Sequence, residues 1–328
     1  MGNVYSNAET ILSGSGLSGS VVQKLIANNM KMSCLRTNAI LQKDEWVELD
    51  KRIVKIAEER LVIAADLIAA GLTYNLGGIG TTVSQWQIES DMTDATISME
   101  ADSVGNKDLV DYQMAQVPIP IIHKDFQLGL RQIEASRRMG SNIDMTNSDA
   151  AARRVAVGME DLIIKGYASK IAGQQIYGIT THPARITGTA TGAWATDIDN
   201  IYDTVINMLA AADAAHRYGP FNLYVASGLG MHLYKYYTDG SGQTVEQRLR
   251  NISPINDIKV SDRLPAGNLA LVQMTSDTID LAIGQPLMPV EWQDKGGLVS
   301  NFKILTAMAP RIKPDAASKL GIVHYTGA

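Results

Sequence analysis

Between Ile119 and Tyr177 the apolar residues change period from two to about 3.6, and that change restricts the chain to folds in which a long helix lies across a sheet. Ile119, Ile121, His123 and Asp125 alternate with Pro120, Ile122, Lys124 and Phe126. The β-branched content favours a strand, and the two prolines at Pro118 and Pro120 place it at a sheet edge. Thr146 and Asp149 have the spacing of a capping box, so a helix is expected from 147 to 166. Ala152, Val155, Met159, Leu162 and Gly166 form its apolar stripe, while Arg153, Arg154, Glu160 and Asp161 lie mostly off it.

The rest of the chain alternates helical and extended patterns. Residues 44–70 read as one helix, with Trp46, Leu49, Ile53, Ile56 and Leu61 apolar, Glu48 four residues before Arg52, and Gly71 as the stop. Residues 82–89, 95–99 and 110–118 read as extended, with turns at the acidic Asp91 and Asp94 and at Val104-Gly105-Asn106. A two-stranded ribbon is marginal in water, so a projection of this length must lie on its own body or on a neighbour. Farther on, Thr196 and Asp199 make a second capping-box pair ahead of a stripe at Ile198, Ile201, Val205, Leu209 and Ala212. Residues 221–226 read as a strand, 230–237 and 245–252 as helices, and 269–274 with 278–283 as a hairpin. Strands are expected again at 287–292, 302–312 and 320–325.

The wording and order of these segments resemble the encapsulin branch of the Hong Kong 97 fold, which tailed-phage major capsid proteins share. Arg131 to Glu134 match the short helix that leads into the family's spine helix, and Asp149 to Gly166 match the spine helix itself. Tyr177-Gly178-Ile179 match its glycine exit, Gly219-Pro220-Phe221-Asn222-Leu223-Tyr224-Val225 its axial-domain strand, and Ala282-Ile283-Gly284-Gln285 a further segment. The resemblance runs from about residue 43 to 325. It implies an α+β subunit with an N-terminal arm at 1–42, a first helix of the peripheral region at 43–74 and an extended loop at 75–117. The peripheral domain would take 118–195 and 287–328, around the spine helix 147–166, with an axial domain at 196–286.

The same resemblance implies a structural protein without catalysis, cofactor or metal. Copies would associate as hexamers and pentamers into an icosahedral shell around double-stranded DNA held without sequence-specific binding. A cement or decoration protein, a portal and a separate scaffolding protein would be its partners. The virion is then the place of the protein, with assembly in the host cytoplasm. An encapsulin compartment around an enzyme cargo is the alternative, and about 40 residues ahead of Lys43 favour the phage reading. Subunit contacts are expected at Trp86, Asp91, Asp94, Met99 and Tyr112 in the loop, at Arg153, Arg154 and Glu160 on the spine helix, and at Tyr234, Tyr236, Tyr237 and Arg248 at the axial tip.

Composition fits this reading and argues against others. A chain of 328 residues with 45% hydrophobic and 19% charged residues is globular, and its length allows two domains. A formal net charge of −5 gives no basic excess for neutralising phosphates. Cys34 is the single cysteine, so no internal disulfide forms. No run approaches the roughly 18 apolar residues of a membrane span. Gly14-Ser15-Gly16-Leu17-Ser18-Gly19 spells G-x-G-x-x-G, but no acidic residue lies about 20 positions beyond it and no βαβ pattern follows. The histidines at 123, 182, 216, 232 and 324 show no zinc spacing, and no G-x-S-x-G elbow occurs. Glu89, Asp91, Asp94, Glu100 and Asp102 match no EF-hand pattern and read as a solvated hairpin. Tyr234-Lys235-Tyr236-Tyr237 reads as a subunit contact rather than a base-stacking surface.

Overall fold

The computed structural model describes residues 43–90, 92–95, 97, 99, 107, 109–139, 145–195, 197–237, 242–294 and 299–328. The 1–42 arm, its glycine motif, Asp91 and Thr196 lie outside them. Two sheets organise these residues. The four-stranded sheet has the order β1-β11-β12-β4, with β1 Thr73–Asn75, β4 Ile121–Gly129, β11 Ile279–Asp294 and β12 Val299–Ile312. As expected, β4 is an edge strand, although Pro118 closes β3 and Pro120 stands just ahead of β4, so neither proline lies within it. The five-stranded sheet has the order β7-β13-β10-β8-β9, with β7 Ile186–Thr189, β8 Phe221–Ala226, β9 Ile255–Ser261, β10 Asn268–Gln273 and β13 Ile322–Thr326. Both β8 and β10 are buried along their whole length, which suits continuous apolar runs in the middle of a sheet covered on both faces.

The long helix is α4, Thr146–Lys165, with Ala152, Val155, Met159 and Ile163 in the core. Its N-cap is Met145 and not Thr146, so the expected capping box does not form. Asp149 instead accepts a hydrogen bond at 2.7 Å from Arg52 of α1, Lys43–Glu58. The helix ends at Gly166, whose φ of 69° leads straight into β5, Gly166–Ile171. A Cβ there would stand 2.2 Å from the carbonyl oxygen of Ile176 in β6, Gln174–Tyr177, so both backbone conformation and space require glycine.

Several expectations are corrected. The helix read over 44–70 is two helices, α1 and α2, Ile63–Ala69, because the carboxylate of Glu160 on α4 receives the amides of Ile63 and Ala64 and starts a new helix there. Among the described residues of 95–99 none is in a strand; the ribbon is β2, Val83–Glu89, paired with β3, Tyr112–Pro118. The segments at 269–274 and 278–283 are not a hairpin, since β10 pairs with β8 and β13 while β11 pairs with β12 and β1. The strand read at 287–292 is the second half of β11, which continues through register shifts around Gly284. The last strand, expected in the peripheral sheet, pairs with β10 and β7 in the five-stranded sheet. Helix α5, Asp199–Ala214, starts after Ile198, and Asp197 accepts the Asp199 amide at 3.1 Å. The helix read over 230–237 is α6, Ser227–Gly230, followed by a 3-10 turn over Met231–Tyr234. Helix α7, Val245–Arg250, carries a capping box from Thr244 and Gln247, a T-x-x-Q spacing legible in the sequence.

A histidine pair ties the five-stranded sheet to the segment after β6. His182 Nδ1 accepts from the Ala184 amide at 3.1 Å, and His324 Nδ1 accepts from Arg185 Nε at 3.3 Å. Both acceptors require the neutral ring. Burial and the Arg185 charge hold the His182 pKa down to about 4 and also lower that of His324. The folded state thus binds these protons less readily than the unfolded chain. Their contribution is present above pH 6.5 and is lost as pH falls below it, for His182 down to about pH 4 and by about 3 kcal/mol. Urea midpoints should fall between pH 7 and pH 4.5, and His182→Gln should flatten that dependence.

Candidate assembly surfaces

The β2–β3 ribbon carries two unlike faces because side chains alternate along each strand. Register pairs Ser84 with Val117 and Trp86 with Ala115 on one face, and Gln85 with Gln116, Gln87 with Met114 and Glu89 with Tyr112 on the other. The first face is turned toward the body. There Val117 and Ile119 pack with Leu162 of α4, Ile176 of β6, Ala282 of β11 and Ala307 and Ala309 of β12, with Trp86 against the same cluster. The second face is open, with Tyr112 56% and Met114 62% exposed. Beyond β2, Ile97, Met99 and Leu109 are almost wholly exposed. Exposed large apolar side chains close together are a candidate interaction surface.

The expected contact residues separate accordingly. Asp94, Met99 and Tyr112 stand exposed on the ribbon, and Arg153 and Arg154 on α4. Trp86 is half-buried and faces its own body. Glu160 is not on an exposed helix face: it is 1% exposed and spent on capping α2, a correction that follows from the break between α1 and α2. Tyr234 and Tyr236 are exposed beside α6, Tyr237 is half-buried and its hydroxyl donates to Asp199 of α5, and Arg248 of α7 stacks on the Tyr237 ring at 4.1 Å and lies 5.4 Å from that of Tyr202. The Asp199 carboxylate pushes the Tyr237 hydroxyl up to about 12, so it remains a donor at neutral pH. The sequence reading missed Met114, although its two-residue spacing from Tyr112 puts both on one strand face.

Two polar clusters, one buried and one partly exposed, join distant segments and are not visible in local sequence. Under the ribbon, Arg311 and Asp280 form a two-pronged ion pair at 2.6 Å, and Lys313 reaches the same carboxylate at 2.7 Å. Between the sheets, Asp66 of α2 accepts from Tyr224 of β8 at 2.8 Å and pairs with Lys259 of β9, while Arg263 pairs with Asp161 of α4 at 2.6 Å. A cleft of about 720 Å³ between α1 and α4 has cations at Lys51, Arg52, Lys55 and Arg153, offset by Glu48, Glu59 and Asp149. Among the described residues no group of three or more His, Cys, Asp or Glu is placed to hold a metal ion, and no helix is long and apolar enough to cross a membrane.

An edge-bound long helix over a four-stranded sheet, a ribbon beside it and a second, five-stranded sheet make up the Hong Kong 97 fold found in phage capsids and encapsulin shells. The virus-like particle from Pyrococcus furiosus shares it with a TM-score of 0.62 at 18% identity, covering 85% of this chain and 98% of that one. The capsid of Myoviridae phage XM1 shares it with a TM-score of 0.64 at 13% identity, covering 91% of this chain and 99% of that one. Residues 36–325 match the family of unknown function DUF6260, and the chain belongs to that family. It is also similar to the type 1 encapsulin shell protein EncA of Myxococcus xanthus strain DK1622, at 23% identity over 281 residues, 85% of this chain and 93% of that protein.

Proposed function

We propose that this chain is the repeating subunit of a closed icosahedral shell, assembling with itself as hexamers and pentamers, and that the shell is a tailed-phage capsid around double-stranded DNA. The carrying observation is the ribbon, whose buried base and exposed apolar outer face suit a lever laid across an adjacent copy. Its function is the formation of repeated interfaces, with no residue in a catalytic role. The phage reading is supported by the capsid of phage XM1 sharing the fold over 91% of this chain and 99% of that one. A net charge of −5 suits DNA that is contained rather than gripped. A portal, a separate scaffolding protein and a cement protein belong to this reading.

The similarity to EncA favours a second reading, an encapsulin shell around a protein cargo. Electron microscopy and charge-detection mass measurement of particles from the native source separate the two. Large DNA-filled shells with a tail vertex are expected; small tailless shells holding protein would establish the encapsulin reading. Only monomers and small oligomers at high concentration would defeat both.

A further inference from the structure

The ribbon leaves the body over a single buried cation. Arg311 is 4% exposed and stands opposite Asp280 across the β11–β12 pair. It follows Ala307 and Ala309 at two-residue steps, so it shares their face of β12, the face on which Val117 and Ile119 sit. The alanines leave room for the ribbon base, and Arg311 ends the row with a planar charge. Its Nη1 donates to Ser84 Oγ of β2 at 3.3 Å, its guanidinium stacks on the Tyr74 ring of β1 at 3.8 Å, and the Trp86 ring of β2 lies 6.0 Å away. Its other edge is held by both oxygens of Asp280. One side chain therefore joins β12, β11, β1 and β2.

A guanidinium has a fixed plane and a fork of donors, so a group held on one edge by a carboxylate dictates where its other partners must lie. Lysine supplies the charge without that plane. The neutral contacts of the ribbon base are apolar, with Leu162 and Ile176 beside the three alanines, and such non-directional contacts fix depth but resist sliding and rotation weakly. Direction needs the hydrogen bond and the stacked rings.

We propose that Arg311 is a positioning residue for assembly: without touching a neighbouring subunit, it sets the angle at which the β2–β3 ribbon leaves the body and hence which surface the next copy meets. The inference rests on the shell reading above. Its test needs a readout of ribbon direction apart from assembly. Nitroxide labels at Met114→Cys and Arg154→Cys, in a Cys34→Ser background, report the ribbon-to-helix distance by pulsed electron resonance in unassembled subunits. Arg311→Lys is one variant. The double variant Ser84→Ala with Trp86→Leu is the other, and it leaves the Arg311–Asp280–Lys313 cluster whole, so the body stays folded even where Arg311→Lys does not. A broadened distance distribution in the double variant is expected, with unchanged far-ultraviolet circular dichroism and at least a tenfold loss of particle yield. An unchanged distribution, or wild-type yield alongside a broadened one, would overturn the proposal. Absence of particles from the unsubstituted chain would overturn the shell reading instead, and the label distances would still decide whether the ribbon's direction depends on these contacts.

Discussion

Replacing residues 91–110 by Asn-Gly leaves a subunit that folds and does not form shells. Ser90 and Asp111 already meet, with the Ser90 amide donating to the Asp111 carbonyl at 2.9 Å and the Asp111 amide donating to Ser90 Oγ at 2.8 Å, so a two-residue type I′ turn can close the ribbon there. The removed span carries Met92, Ile97, Met99 and Leu109, all strongly exposed and contributing nothing to the core. The buried base at Ser84, Val117 and Ile119 is untouched. The melting midpoint should stay within a few degrees of the parent, while light scattering and electron microscopy show monomers and small oligomers only. Particles of normal size and yield would show that the ribbon is not the assembly surface.

The second large effect is expected at Glu160. Its carboxylate accepts from the amides of Ile63 at 2.7 Å and Ala64 at 3.3 Å in an interior closed to water. Glu160→Ala leaves both donors unsatisfied and opens a cavity, at a cost of about 3–5 kcal/mol in urea unfolding. Glu160→Gln retains an acceptor oxygen and removes the buried charge, and should lie within about 1–2 kcal/mol of the parent. Burial raises the Glu160 pKa against the lowering pull of its backbone donors, with the Asp66 charge adding to the rise. The folded state therefore holds that proton more tightly than the unfolded chain. This contribution to stability is greatest below pH 4.5 and is lost as pH rises through the raised value, the reverse of the His182 dependence. Equal losses in the two variants would mean that the carboxylate's charge and second acceptor oxygen, which glutamine lacks as alanine does, matter at this position and that volume does not.

Both effects begin with residues that are ordinary in the sequence and become decisive through what they meet. Periodicity and turn chemistry were sufficient for α4, for β8 over Phe221–Ala226, for β4 as an edge strand and for the two strands of the ribbon, because these patterns are written within a few neighbouring positions. The exposed residues Met99, Tyr112, Tyr234 and Tyr236 were legible for the same reason: an apolar or aromatic side chain at a turn or on a polar strand has no local burial to satisfy.

Partner choice was not legible. Residues 269–274 and 278–283 read as a hairpin, yet the turn between them crosses from one sheet to the other: β10 pairs with β8 and β13, while β11 pairs with the next strand, β12, and with the distant β1. The closing strand at 322–326 likewise joins the five-stranded sheet through β10 and β7. Glu160 read as a surface residue because acidic side chains usually are. It is buried because two amides at the start of a helix 97 and 96 residues earlier need an acceptor. The sequence by itself determined where most of the helices and strands form, since local sterics and apolar spacing act over a turn or a strand. Only the tertiary structure decided which strands share a sheet, where α1 gives way to α2 and which charged groups are buried, because each of those depends on hydrogen-bond partners and excluded water supplied by distant segments.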